Sequence, residues 1–177
     1  MKKDNISHSF IYKYDGTGNE LNGSSVYPID NVVKDEKKYK YERGLCCGVF
    51  DGLHHGHLNL LENAKKYCKE LYIGLSNDKY VEVKKGRMPI FDFEHRKRVL
   101  EMLRIVDKVV EQGLNYDKNA NTKHNMVSIY NCDVIIAGDD WKAVHDWDGY
   151  DCAVAVLFLP YTKGISTTSI IEKIRKK

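Results

Sequence analysis

The stretch "GVFDGLHHGH", Gly48–His57, decides the fold. It continues the apolar "LCC" of Leu45–Cys47, so "LCCGVF" reads as a short buried strand. Asp51 and Gly52 punctuate the turn, and His54, His55 and His57 crowd its far side. Behind them "HLNLLENAKKYCKE" places Leu58, Leu61, Ala64 and Cys68 near helical spacing, with lysines opposite. Strand, glycine-bearing turn and helix, with ring nitrogens at the mouth, is the local plan of a ligand site at the carboxyl end of a sheet strand.

The same alternation continues outward. "LYIGLS" predicts a second strand and "KKGRMPIFD" a basic loop closed by a proline. "FEHRKRVLEMLRIV" predicts a helix whose apolar face is Val99, Leu100, Leu103 and Val106, and "KVVE" a third strand. "TKHNMVSIYN" predicts a helix, "DVIIAG" and "AVAVLFL" central strands, and "STTSIIEKIRKK" a closing helix with Ser169 and Glu172 at capping-box spacing. Strands alternating with helices give an α/β class with a parallel sheet covered on both faces. Residues 1–43 are polar and irregular, containing "DGTGNELNGSS" and "KDEKKYKYER". They read as a flexible extension or a short hairpin after "IYKY", carrying no chemistry, and residues 44–177 as the catalytic domain.

Totals bound the function. The 177 residues suit one domain with a sizeable core. A net charge of +3 is too mild to argue for a nucleic-acid partner, though it suits an enzyme handling phosphates. No apolar run approaches the ~20 residues of a membrane span. The basic start "MKKDNISHSF" has no apolar stretch behind it, so no signal peptide is expected. The 5 cysteines are scattered without C-x-x-C spacing and read as reduced, buried thiols of a cytoplasmic protein.

Three readings of the histidines stand beside one another. They are incidental to a polar loop; or His54 and His57 face one metal ion; or the turn binds phosphate. In the last case Gly56 admits a bulky anion, and the helix opening at His57 offers free amides and a positive dipole end. The chain's far end favours phosphate. "LPYTKGISTTSII" again sets a turn glycine, Gly164, before a helix start at which Ser166, Thr167 and Thr168 bring hydroxyls and amides. A serine/threonine run is commonly only a cap. Two such helix starts facing one crevice make a phosphate cradle.

These residues also carry a resemblance. H-x-G-H (His54, Gly56, His57) with G-I-S-T-T (Gly164, Ile165, Ser166, Thr167, Thr168) resembles the cytidylyltransferase group of nucleotidyltransferases. Between them, "FEHRKRVLEMLRIVDKVVE" is similar to the family's E-x-R and R-x-V-D segment. "AGDDW" resembles the glycerol-3-phosphate cytidylyltransferases in particular. The likeness runs from about Leu45 to the C-terminus. It implies a Rossmann-like nucleotidyltransferase fold, and a reaction in which a substrate phosphate attacks the α-phosphate of CTP in line and pyrophosphate leaves. A divalent cation such as Mg2+ is expected with CTP, without a metal site on the protein, and a homodimer is implied.

Roles follow from the resemblance. His54, His57, Lys85 and Arg104 would be catalytic. Gly48, Val49, Phe50, Gly56, Arg96, Gly138, Asp139 and Gly164 to Thr168 would line the nucleotide, with Arg96 adding forked donors to phosphate. Asp51, Lys84, Asp140, Trp141, Tyr161 and Lys163 would line the acceptor side, with Asp51 orienting the acceptor or a metal. Two positions depart from the family pattern. Tyr161 stands where the family has arginine, replacing a permanent charge with a neutral donor. Gly52, where leucine is common, is expected to loosen the turn. The Tyr161 change leaves three accounts: Lys163 substitutes, the acceptor differs, or turnover is lost and the chain only binds nucleotide. Phosphocholine or phosphoethanolamine as acceptor, and adenylyl transfer from ATP, remain alternatives to glycerol 3-phosphate and CTP.

Overall fold

The computed structural model describes residues 10–12, 39–114, 122–141 and 155–176. Its elements run β1 (Phe10–Tyr12), β2 (Tyr41–Gly48), α1 (His55–Lys65), β3 (Cys68–Ser76), α2 (Asp78–Lys85), α3 (Phe93–Glu101), β4 (Lys108–Gln112), α4 (Lys123–Ile129), β5 (Val134–Gly138), a 3-10 turn (Asp139–Trp141), β6 (Ala155–Leu159) and α5 (Thr167–Arg175). The strands form one sheet ordered β1-β6-β5-β2-β3-β4. Strands β2 to β6 are parallel, as expected from the strand–helix alternation, and β1 joins the edge antiparallel to β6.

Strand residues alternate between the two faces, and that period sorts neighbours into two cores. Cys46, Leu71, Ile73, Ile136 and Leu157 pack with Leu61 and Ala64 of α1 and Leu100 of α3. Leu45, Ile135, Val156 and Phe158 pack with Met126 and Val127 of α4. Leu45, Leu61, Leu71, Ile73, Ile135, Ile136 and Leu157 are 0% exposed. Each contributes about 1.5–3 kcal/mol by leaving water. No helix among the described residues is long and apolar enough to cross a membrane. Cys46, Cys68 and Cys132 are buried free thiols.

The registers set the strand ends flush. Gly48 lies level with Leu75, Leu75 with Glu111, and Gly138 with Leu159. The order reverses between β2 and β5, and the crevice at such a switch point is where open α/β sheets bind ligands. The histidine loop leaves from β2 and the Asp139–Trp141 turn from β5, on either side of it.

Several local expectations change. Cys68 opens β3 and does not extend α1. β2 begins at Tyr41, so a domain boundary after residue 43 falls inside the first strand of the parallel set. Arg43 is tied into that strand's surroundings, donating to Glu70 and to the Tyr130 carbonyl. Residues 10–12 of the extension form a sheet edge, while the "DGTGN" turn lies outside the described residues. Helix α2 was not expected. It is fixed by its ends, with the Asn77 side chain accepting from the Tyr80 amide and Gly86 closing it in the left-handed region. It buries only Val81, so it has no apolar period to read. Helix α3 stops at Glu101, before Leu103 and Val106, and Val99 is 36% exposed.

Candidate active site

The turn after β2 is tight. Phe50 takes φ +49° with its ring buried, and Gly52 takes φ +60° with open space around it. Glycine enters that left-handed region without the penalty a side chain adds. Gly52 therefore fits the turn and does not loosen it. Helix α1 opens at His55, two residues earlier than expected, with His54 as its N-cap. His57 then falls in the first turn, its amide donating to the His54 carbonyl at 2.9 Å. The His54 and His57 rings stack with centroids 3.8 Å apart, and the Phe50 ring lies 5.3 Å from His57. A Cβ on Gly56 would come within 3.1 Å of both the His54 ring and Ile165 Cγ2. The glycine is what lets the two loops approach. His55 is exposed.

Burial pushes the His57 imidazole down to about 4, helped by the facing His54 and opposed by Asp51. Burial, then His55, lowers His54 as well. Both rings are therefore neutral at pH 7. The His54 amide donates to His57 Nδ1 at 3.4 Å, which leaves the ring proton on Nε2. His54 Nδ1 is buried without a hydrogen-bond partner. The pair is a set of neutral donors at a helix N-terminus, suited to an arriving phosphate.

The second loop is bound to the first. Thr167 Oγ1 donates to the Asp51 carbonyl at 2.7 Å, and Asn59 of α1 donates to Thr162 Oγ1 at 3.1 Å. Ser166 caps α5, its side chain and that of Ser169 each accepting the other's amide. The capping box is thus Ser166–Ser169, one turn before the expected Ser169–Glu172. The Thr167 and Thr168 amides, at the first two positions of α5, have no acceptor within the helix. Gly164 turns at φ +86° and Lys163 is exposed. Tyr161 donates its amide to Asp139 Oδ1 at 2.9 Å and its hydroxyl to the Ile165 carbonyl at 3.1 Å. Its side chain braces the turn that the family arginine would charge.

Two expected ligand residues face inward. Asp51 is 2% exposed, and its carboxylate accepts the Ile90 and Phe91 amides at 2.9 and 3.1 Å. Arg96, also 2% exposed, donates to the carbonyls of Phe91, Val49 and Ser76 and to Asp78. Four guanidinium bonds to protein leave no fork turned to a nucleotide, so Arg96 stands corrected from phosphate donor to internal brace. Asp51 likewise holds backbone where an acceptor or metal contact was expected. Arg104 is exposed in the turn between α3 and β4, at the amino end of β4, so a single chain does not bring it to the histidines.

The remaining residues lie on the elements that follow β3 and β5. Lys84 and Lys85 are exposed in the last turn of α2. Burial raises Asp140 above the usual carboxylate range, and the nearby Lys85 opposes that shift. A Cβ on Gly138 would lie 2.3 Å from Asp140 Oδ1, so Asp140 folds back over the end of β5. Trp141 is 42% exposed, with Lys123 Nζ 5.5 Å from its ring centre. Asn59, Thr162 and Asp78 were missed. Each acts by a tie to a residue distant in sequence or by serving Arg96, which no local motif signals. Among the described residues no group of three or more His, Cys, Asp or Glu side chains is placed to hold a metal ion.

The cytidylyltransferase-like family model matches residues 45–173. The glycerol-3-phosphate cytidylyltransferase of Bacillus subtilis (strain 168) is 39% identical over 72% of this chain and 92% of its own length. That of Staphylococcus aureus (strain NCTC 8325 / PS 47) is 33% identical over 77% of this chain and 97% of its own. The FAD synthase of Thermococcus sibiricus (strain DSM 12597 / MM 739) is 39% identical over 58% of this chain and 66% of its own.

Proposed function

The chain belongs to the cytidylyltransferase-like family of nucleotidyltransferases, and from that premise we propose that it transfers the cytidylyl group of CTP to glycerol 3-phosphate with release of pyrophosphate. The observation that carries this reading is the tie between two helix N-termini. Thr167 reaches the Asp51 carbonyl, and Ile165 rests against Gly56. The triphosphate then lies between the start of α1, with its neutral His54 and His57, and the start of α5, with the Thr167 and Thr168 amides. The acceptor phosphate attacks the α-phosphorus from the side of Lys84 and Lys85. Charge growing on the bridging and non-bridging oxygens meets donors already in place, which stabilises the transition state without reorganisation. No covalent enzyme intermediate is needed.

The glycerol-3-phosphate choice is supported by the curated relatives of that name and by the "AGDDW" segment at Ala137–Trp141. Mg2+ accompanies CTP in this reading. The described residues form no site of their own for it, so no step is assigned to it. The proposed assembly is a homodimer. The relative named FAD synthase gives reason to test an adenine nucleotide beside CTP. Pyrophosphate release with CTP or ATP against glycerol 3-phosphate, phosphocholine and phosphoethanolamine tests the proposal. Release confined to CTP with glycerol 3-phosphate is expected. Release only with ATP, or no release with any pair, would overturn it.

A further inference from the structure

Between α2 and α3 runs a strap, residues 86–92, that follows directly on Lys84 and Lys85. The strap is exposed along most of its length, including Arg87, Met88, Ile90 and Phe91. Exposed connections of this kind open easily unless something ties them down. Here both faces of one peptide segment are tied from beneath. Asp51 takes the Ile90 and Phe91 amides, and Arg96 takes the Phe91 carbonyl. Arg87 Nη1 stands 3.7 Å from the same Asp51 carboxylate.

The grip extends to the other end of α2. Arg96 Nη2 pairs with Asp78 at 2.6 Å, and Asp78 also accepts the Phe93 amide at 3.2 Å. Arg96 Nη1 holds the carbonyls of Ser76, where β3 ends, and Val49, where the histidine turn begins. The lysine-bearing helix is thus held at its first residue by one guanidinium, which also holds Phe91 in the strap that follows the helix, and that guanidinium is fixed to the histidine turn. Asp51 adds the third loop, because its own carbonyl accepts from Thr167.

We propose that Asp51 and Arg96 are positioning residues that set Lys84 and Lys85 against His54 and His57, acting on the reaction through Lys85 without touching substrate. The role given to Lys85 rests on the cytidylyl-transfer reading; the clamping of the strap does not. A residue that acts through another loses its effect when that other is removed, and contacts in one network are non-additive. A residue that merely supports the fold gives additive losses.

The test compares Lys85→Ala in the starting chain and in an Asp51→Asn background. Asparagine keeps the size but turns an amide toward one of the two strap N–H groups. Lys85→Ala is expected to cost about 10²-fold in kcat/KM in the starting chain and only a few-fold beside Asp51→Asn. Trypsin supplies a readout independent of activity. Cleavage after Lys84, Lys85 and Arg87 should be about tenfold faster in Asp51→Asn, with cleavage after Lys173 and Arg175 of α5 unchanged. Arg96→Lys, which keeps the charge but loses the fork, carries the same two readouts if Asp51→Asn fails to unfold cooperatively. Equal Lys85 losses in both backgrounds, or strap cleavage no faster in the variant, would overturn the proposal. If no nucleotide turns over with any acceptor, the functional reading fails, and the cleavage comparison alone then decides the clamp.

Discussion

Replacing His57 with asparagine separates what the ring holds from what it donates. The ring takes the His54 amide on Nδ1 and stacks on His54 at 3.8 Å. Asparagine Oδ1 can accept that amide, so the N-cap survives. The stacking does not, nor does the Phe50 contact at 5.3 Å. At about 0.5–1.5 kcal/mol per ring pair, the variant should lose about 1–3 kcal/mol of stability. The donor loss is separate. Nε2 carries the ring proton that the cytidylyl-transfer reading assigns to phosphate, and the shorter amide does not reach its position. Removing one donor of this kind costs about 10²–10³ in kcat, or roughly 3–4 kcal/mol. The assay is pyrophosphate release at saturating acceptor, with CTP varied, beside a thermal unfolding curve. The account predicts a 10²–10³-fold drop in kcat, a modest change in the KM for CTP, and a cooperative transition a few degrees lower. A folded variant turning over within threefold of the starting chain would refute the reasoning.

Acid should weaken the fold through the same ring. His57 falls from the ordinary 6.5 to about 4 on folding, so between those values the unfolded chain binds the extra proton; its contribution is present above pH 6.5 and lost as pH falls toward 4. Urea midpoints between pH 7.5 and 4.5 should decline more steeply in the starting chain than in His57→Asn, and equal slopes would contradict this. Lys163→Ala should lower kcat/KM for CTP about tenfold and Tyr161→Arg should raise it, since arginine returns a charge beside the triphosphate; no effect from either would place the 161–163 turn outside the site. Gly52→Leu, at φ +60°, should cost about 1–2 kcal/mol and lower the melting temperature by several degrees, and an unchanged temperature would contradict the left-handed turn.

The parallel sheet was legible because β2, β3, β5 and β6 carry apolar runs that only burial on two faces explains. The histidine turn and the Gly164–Thr168 turn were legible because their signals are local: glycine, ring nitrogens and hydroxyls at a helix start. Arg96 and Asp51 look like ligands in the sequence because sequence displays charge but not burial. The partners of their charged groups lie up to 47 residues away, and nothing near "EHR" indicates that a guanidinium will face Val49 and Ser76. The ties Asn59–Thr162 and Thr167–Asp51 span 103 and 116 residues, beyond any periodicity. Tyr161 stands out in the sequence as a departure, but its bond to Asp139 emerges only when β5 and β6 lie side by side.

The central claim is attack on the α-phosphorus of CTP between the two tied helix N-termini. Following radiolabel from the α- and γ-phosphorus of CTP in parallel reactions with glycerol 3-phosphate tests it most directly. The account predicts that the α-label appears in a cytidine diphosphate ester of glycerol and the γ-label in pyrophosphate, in equal amounts. Transfer of the γ-label to the acceptor, or no movement of either label by the folded protein, would contradict it.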